Sequence, residues 1–520
     1  MTRRILILVF LTIASAAWAT VTDSVRVEQG LLAGTAGKSP DVRVYRGIPF
    51  AAPPVGDLRW KPPQPAAHWQ DVRQATEYGH ACMQVPYASA QTLYHATLPP
   101  LSEDCLYLNI WTAAKSANEH LPVMVWIHGG GFTRGSGVGS AYDGENLSRK
   151  GVVVVTINYR LGVFGLFAHP GLTAESEHHA SGNYGLLDQI AALEWVKKNI
   201  AAFGGDPKRV TIFGESAGSW AVNLLMASPL AKGLFQRAIG ESGGQFAAME
   251  TLAMAEKNGE KLAASFKADQ GKPKEAVKTL RAVPAEELLK ATNNELAAAV
   301  VDGYVLPQNV HDIFAQGKQN DVPLLIGNNA DEGTSLVPQA INMTAARFTT
   351  GVNLRYGKLA EQFLKLYPAG SDEQAVNSFY SAYRDQAFGW EMRTWARMQS
   401  KTGHHHVYLY YFTRVAPGPA AQRYGAFHAL EIAYVFGTFF WPFPWDDADH
   451  KLSDTIMSYW VNFATTGDPN GAGLPRWPVY SAGSDQALEL GDKIVVRSET
   501  NKAGLDFFDE YYGAVNKGGN

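Results

Sequence analysis

Short runs of consecutive apolar residues, many of them β-branched, alternate along this chain with segments whose apolar positions recur at helical spacing. Val123-Met124-Val125-Trp126-Ile127 and Val152-Val153-Val154-Val155-Thr156-Ile157 lack polar alternation, the pattern of strands covered on both faces. Val210-Thr211-Ile212, Phe235 to Gly240, Val322 to Gly327 and Val407 to Phe412 read as further strands. Leu187 to Val196 has the helical period and leads to Phe203-Gly204-Gly205-Asp206-Pro207, a stop signal. Ala221 to Met226 reads as an apolar helix with Pro229 beyond its end. This alternation predicts an α/β fold, a mostly parallel central sheet flanked by helices on both faces. The Lys-, Glu- and Ala-rich stretch from Ala253 to Leu296 reads as surface helices inserted into that framework. No repeat, low-complexity tract or linker divides the rest, so residues 20–520 are expected to form a single domain.

Composition narrows the class. With 46% hydrophobic and 18% charged residues the chain can bury a large core. A net charge of −4 offers no electrostatic attraction for nucleic acid or anionic membranes. Arg3-Arg4, the apolar run Ile5 to Ile13 and Ala17-Trp18-Ala19 predict a signal peptide over residues 1–19, hence a secreted or periplasmic protein. The run is too short for a membrane span, and no later stretch is long and apolar enough. In an exported chain, Cys82 and Cys105 invite one disulfide rather than two free thiols.

Two motifs carry chemistry. Phe213-Gly214-Glu215-Ser216-Ala217-Gly218 follows a strand and has the Gly-x-Ser-x-Gly pattern of a nucleophile elbow, where a sharp strand-to-helix turn exposes the serine hydroxyl. The Ala217 N–H then lies at a helix N-terminus, able to donate to an oxyanion. His128-Gly129-Gly130-Gly131-Phe132 follows another strand, and its bare backbone N–H groups suit an oxyanion hole. No Gly-Lys-Ser/Thr follows it, which disfavours a phosphate loop. A serine nucleophile needs a base and an acid to orient that base. Downstream, Ala330-Asp331-Glu332-Gly333 offers two acids beyond a strand, and Gly425-Ala426-Phe427-His428 offers a histidine at a loop-to-helix junction.

With these motifs the chain resembles the type-B carboxylesterases, the cholinesterase-like branch of the α/β-hydrolase fold. The resemblance runs from about Val25 to Trp477. It rests on Phe203-Gly204-Gly205 through Gly218 and on Glu103-Asp104-Cys105-Leu106-Tyr107-Leu108-Asn109-Ile110-Trp111. Arg46-Gly47-Ile48-Pro49-Phe50-Ala51, Asn158-Tyr159-Arg160 and Gly182-Asn183-Tyr184-Gly185-Leu186 extend it. It implies Ser216 as nucleophile, Glu332 rather than Asp331 as triad acid, and His428 as base. It also implies Gly130, Gly131 and Ala217 as oxyanion donors, a Cys82–Cys105 bridge, and structural ion pairs Arg46–Glu103 and Arg160–Asp188. Glu215 and Glu431 are expected to support the site electrostatically; Ser242 is either a hydrogen-bonding neighbour of the triad or a buried structural serine.

The implied activity is hydrolysis of small-molecule carboxylic esters through an acyl-enzyme, with no metal or organic cofactor. His404-His405-His406 is disfavoured as a metal site because successive strand residues point to opposite faces. His178 and His179 read as loop residues. Cholinesterases hold the choline cation with a tryptophan ten residues before the second cysteine of the Cys loop; here that position is His95, so choline esters are not the expected substrates. Phe439-Phe440-Trp441-Pro442-Phe443-Pro444-Trp445 either walls a substrate pocket or packs beneath a surface loop. The alternatives are a lipase, for which no amphipathic lid is legible, and a non-catalytic adhesion module, which would have lost the nucleophile. Oligomeric state is not legible.

Overall fold

The computed structural model describes residues 24–85, 93–94, 97–268, 272–292, 296–498 and 501–518. The leader expected at residues 1–19 lies outside them, as does His95.

Among the described residues, eleven strands form one sheet: β1 (Thr35–Ala36), β2 (Arg43–Pro49), β3 (Tyr107–Thr112), β4 (Leu121–Ile127), β5 (Val153–Ile157), β6 (Gly205–Glu215), β7 (Arg237–Glu241), β8 (Leu324–Asn329), β9 (Val407–Phe412), β10 (Gln486–Leu490) and β11 (Ile494–Ser498). Their order is β11-β10-β9-β8-β7-β6-β4-β5-β3-β2-β1. Pairing is parallel from β10 through β5 and antiparallel at both margins. The parallel strands are the near-continuous apolar runs of the sequence. Val123, Val125, Val153, Val155 and Ile212 bury one face of the sheet, and Met124, Trp126, Val154 and Phe213 the other. Helices must therefore cover both sides.

The helices that matter for the site are α1 (Tyr184–Asn199), α2 (Ala217–Ala227), α3 (Leu252–Ser265), α4 (Pro273–Arg281), α5 (Ala285–Thr292), α6 (Glu332–Leu336), α7 (Trp390–Thr402), α8 (Glu431–Phe436) and α9 (Asp447–Thr466). The inserted helices α3 to α5 bury Leu262, Ala263, Val277, Leu280 and Leu288 against Trp60, Phe164 and Phe167. Their lysines and glutamates are the outer face of a packed layer.

The expected helix stop holds: α1 ends at Asn199 and Gly204 takes φ 82°, and Gly205-Asp206-Pro207 already belongs to β6. Its pairing with β4 shifts between Gly205 and Val210, and that irregularity accommodates a proline that cannot donate to a regular ladder. The polar turn residues there disguise the strand. Glu103 pairs with Arg59, at 2.7 Å (Nε–Oε2) and 2.5 Å (Nη2–Oε1), not with Arg46. Arg46 lies within the register shift of β2, donates to Thr76 O at 3.2 Å and sits 5.0 Å from the Tyr78 ring centroid. His404 to His406 precede β9 rather than lie on it, so strand alternation does not govern them. The His404 imidazole and N–H both meet Asp321.

The other expected ion pair is present. Arg160 and Asp188 form three bonds, Nε–Oδ2 at 2.8 Å, Nη2–Oδ1 at 2.7 Å and backbone N–Oδ2 at 3.0 Å, and both residues are buried. Cys82 and Cys105 are joined by a disulfide. No helix among the described residues is long and apolar enough to cross a membrane.

Candidate active site

In parallel strands all carboxyl ends lie at one edge, and that edge collects the chemistry. β4 ends into His128-Gly129-Gly130-Gly131, β6 into Ser216, and β8 into Asp331 and Glu332.

Ser216 turns the chain from β6 into α2 with φ 56° and ψ −122°, a conformation costly for a residue with a Cβ. The surroundings hold it there. Its N–H donates to Glu241 O at 2.8 Å, and its C=O accepts from Trp220 N at 2.9 Å. The turn demands glycine at position 218, where a Cβ would lie 2.0 Å from Ile127 O. The Ser216 hydroxyl has no hydrogen-bond partner among the described residues, and the residue is half-buried.

The glycine loop crosses directly above this turn, since a Cβ on Gly129 would stand 3.1 Å from Ser216 Cβ. Gly130 and Gly131 have φ of 107° and 63°. Gly130 O accepts from Thr133 N and Arg134 N at 3.1 and 3.2 Å, which curls the loop. The N–H groups of Gly130, Gly131 and Ala217 have no protein acceptor among the described residues.

Geometry separates the two candidate acids. Glu332, fully buried, accepts Asn329 N on Oε1 at 2.7 Å and meets His428 Nδ1 with Oε2 at 2.6 Å. Asp331 instead accepts Ala426 N at 2.8 Å and pairs through its own backbone with Ala426 O, fastening the segment that carries His428. The His428 ring is 3% exposed and lies 5.0 Å from Phe388. Tyr94 donates to His428 O at 3.1 Å. His428 Nε2, the nitrogen expected to face Ser216, is 3.0 Å from Glu215 Oε1, without hydrogen-bond geometry.

Three more carboxyls surround this group. Glu215, Glu241 and Glu431 are all buried. Burial foremost, then the charges of Glu332 and Glu241, hold Glu215 well above the usual carboxyl range. Burial also raises Glu431, with Glu215 and Glu332 adding to it, although Asn329 Nδ2 donates to this carboxyl. Glu241, whose Oε1 accepts Trp460 Nε1 at 2.8 Å, is pushed up to about 8 by burial. Ser242 is fully buried at φ 57°, with Oγ 3.5 Å from Glu431 Oε1. Sequence reading missed Glu241, Phe388 and Tyr94. Only the fold brings Phe388 and Tyr94 to His428 and the Glu241 carbonyl to the Ser216 N–H.

The aromatic cluster packs. Trp441 is 6% exposed, stacks edge-on against Phe427 at 5.2 Å and donates to Leu93 O at 2.7 Å; Trp445 donates to Trp441 O at 2.9 Å. His178 stacks on Tyr304 at 3.7 Å. Among the described residues no three His, Cys, Asp or Glu side chains converge in a way that would hold a metal ion.

A carboxylesterase family profile matches residues 21–508. The chain is 38% identical to fumonisin B1 esterase of Sphingopyxis macrogoltabida, over 87% of this chain and 84% of that one. It is 37% identical to para-nitrobenzyl esterase of Bacillus subtilis, over 91% and 96% respectively. It is 38% identical to carboxylesterase 1F of Mus musculus, over 85% of each. The parallel sheet, the serine turn at its edge and this similarity along nearly the whole chain agree: the protein belongs to the carboxylesterase family and is a serine hydrolase of carboxylic esters with the α/β-hydrolase fold.

Proposed function

We propose that this protein is an exported serine carboxylesterase working through Ser216, His428 and Glu332. What supports the reading most is the strained Ser216 backbone, which presents a hydroxyl without a protein partner beneath the free N–H groups of the glycine loop. His428 Nε2 takes the Ser216 proton as Oγ attacks the ester carbonyl. Gly130, Gly131 and Ala217 donate to the tetrahedral oxyanion. His428 returns the proton to the departing alcohol, leaving an acyl-enzyme. Water, deprotonated by His428, then attacks the acyl carbon; as the C–Oγ bond breaks, His428 returns that proton to Ser216 Oγ and the carboxylic acid is released. Glu332 holds Nδ1 protonated throughout, which keeps Nε2 free as the base. Nε2 makes no hydrogen bond to Ser216 in this structure; catalytic hydrogen bonds of this kind tighten on substrate binding.

In this reading residues 1–19 are removed on export, residues 20–520 form one domain, and the Cys82–Cys105 disulfide suits an oxidising compartment. Choline esters are not the preferred substrates. Para-nitrobenzyl esters and fumonisin B1, the substrates named for two relatives, belong in the first assay panel. Ser216→Ala is expected to lower turnover at least about a thousandfold. An organophosphonate should label one site per chain, at Ser216. Near-normal hydrolysis by Ser216→Ala, or labelling elsewhere, would overturn the assignment.

A further inference from the structure

A loop of consecutive glycines has no side chains with which to pack, and it has the most backbone freedom to lose. Something outside it must fix the direction of its N–H groups. Gln84, two residues beyond Cys82 and 2% exposed, does so on one side. Its Oε1 accepts Gly135 N at 2.9 Å, and its Nε2 donates to Gly135 O at 2.8 Å and to Cys82 O at 3.0 Å. The carboxamide thus pairs with both polar groups of Gly135, as the peptide of a neighbouring strand would.

Asn158, equally buried, uses the other cysteine. Its Nδ2 donates to Cys105 O at 3.1 Å and His80 O at 3.0 Å, while Oδ1 accepts Gly137 N at 2.8 Å and Ser136 Oγ at 3.0 Å. The returning arm of the glycine loop, residues 135–137, therefore hangs on two amides. Each amide is anchored to the backbone carbonyl of one partner in the Cys82–Cys105 bridge. The outgoing arm is fixed separately: Tyr159 OH donates to His128 O at 2.7 Å, and the two rings stack at 4.4 Å. The arms touch where a Cβ on Gly135 would lie 2.4 Å from His128 Nδ1. A displacement at Gly135 is passed to residues 128–131.

We infer that Gln84 is a positioning residue for the oxyanion donors and that the Cys82–Cys105 bridge influences turnover through it. The inference rests on the reading of Gly130 and Gly131 as those donors. Oxyanion donors act on the transition state, so loosening their anchor lowers kcat while substrate binding is kept.

The test uses Gln84→Met, which keeps the bulk and loses every hydrogen bond, beside Gln84→Ala. Both are expected to lower kcat about 10- to 100-fold for a para-nitrophenyl ester, with KM within about twofold. A trifluoromethyl ketone, which adds to the serine as a hemiketal, should lose affinity by the same factor. Organophosphonate labelling should reach the wild-type stoichiometry, only more slowly. Full activity of Gln84→Met, unchanged ketone affinity, or a kcat loss matched by lost labelling sites would overturn the inference.

The paired variant Cys82→Ser/Cys105→Ser should show the same kcat-selective loss, and combining it with Gln84→Ala should add little. Multiplicative losses would mean that the bridge acts independently of Gln84. If the unbridged chain does not fold, the Gln84 variants decide with the bridge intact. A wild-type protein that neither binds the ketone nor labels at Ser216 would sink the serine-esterase reading itself. A responsive wild type with unaffected Gln84 variants would sink this inference alone.

Discussion

Replacing Glu332 by glutamine tests the acid assignment with almost no change of shape. Oε1 of Glu332 already accepts the Asn329 N–H, and that position is fully buried. A buried N–H left facing an amide NH2 would cost about 1–3 kcal/mol, so the glutamine oxygen must stay where Oε1 is now. The NH2 group then replaces Oε2, 2.6 Å from His428 Nδ1 in the native site. Two donors cannot share that contact, so Nδ1 must become the acceptor and the imidazole proton must move to Nε2. In that tautomer the nitrogen meant to deprotonate Ser216 already carries a proton.

The same exchange in a Ser-His-Asp site costs about 10⁴ in kcat, equivalent to roughly 5.5 kcal/mol of transition-state stabilisation. A loss of that order is expected in steady-state hydrolysis of para-nitrophenyl acetate, with the melting temperature near that of the wild type. Asp331→Asn keeps an oxygen for Ala426 N and should cost less than about tenfold. Glu332→Gln within tenfold of wild type, or Asp331→Asn as the more damaging change, would refute the tautomer argument.

Three further outcomes follow from particular contacts. Glu241 retains its proton in the native state up to about pH 8, whereas an unfolded glutamate releases it near 4.5. Native protein binds the extra proton between those values, so stability falls as pH rises through that window, by up to about 1.4 kcal/mol per pH unit. Glu241→Gln keeps an acceptor for Trp460 and should flatten this slope in denaturation curves taken from pH 5 to 8; an unchanged slope would count against it. Gly218→Ala drives a methyl to within 2.0 Å of Ile127 O and should cost folded yield and activity together, read by circular dichroism and hydrolysis side by side. Arg59→Met strands the Glu103 carboxylate and three carbonyls, those of Leu280, Arg281 and Val283, and should destabilise by about 3–5 kcal/mol in urea. Arg46→Met should cost under about 1 kcal/mol by the same assay; the opposite ranking would contradict the pairing seen here.

What the sequence disclosed depended on how local the signal was. β4, β5 and β9 were legible because buried parallel strands are apolar without interruption. The start of β6 was not, because its first residues are the glycine, aspartate and proline of a turn that an irregular register absorbs. Ser216 and the glycine loop declared themselves, since tight turns and bare N–H groups restrict residue choice over a few consecutive positions. Choosing Glu332 over Asp331 required the resemblance, because adjacent acids differ only in where a short helix turns them. The resemblance implies Arg46 as the partner of Glu103, yet Arg59 holds it, because a match of positions does not fix where a long side chain turns. Gln84 left no signal of its own, and Asn158 stood out only as part of the Asn158-Tyr159-Arg160 segment; an amide is assigned a task only by the backbone groups that the fold brings to it.

The ring of buried carboxyls has a consequence for traffic through the site. Burial keeps Glu215, Glu241 and Glu431 protonated well beyond the usual carboxyl range, so around neutral pH they add no charge beside the histidine. The carboxylate that hydrolysis leaves behind therefore meets uncharged carboxyls rather than anions. As pH rises and any of the three ionises, like-charge repulsion of that product sets in. In the proposed reaction the local charge felt by the acid product is thus itself a function of pH.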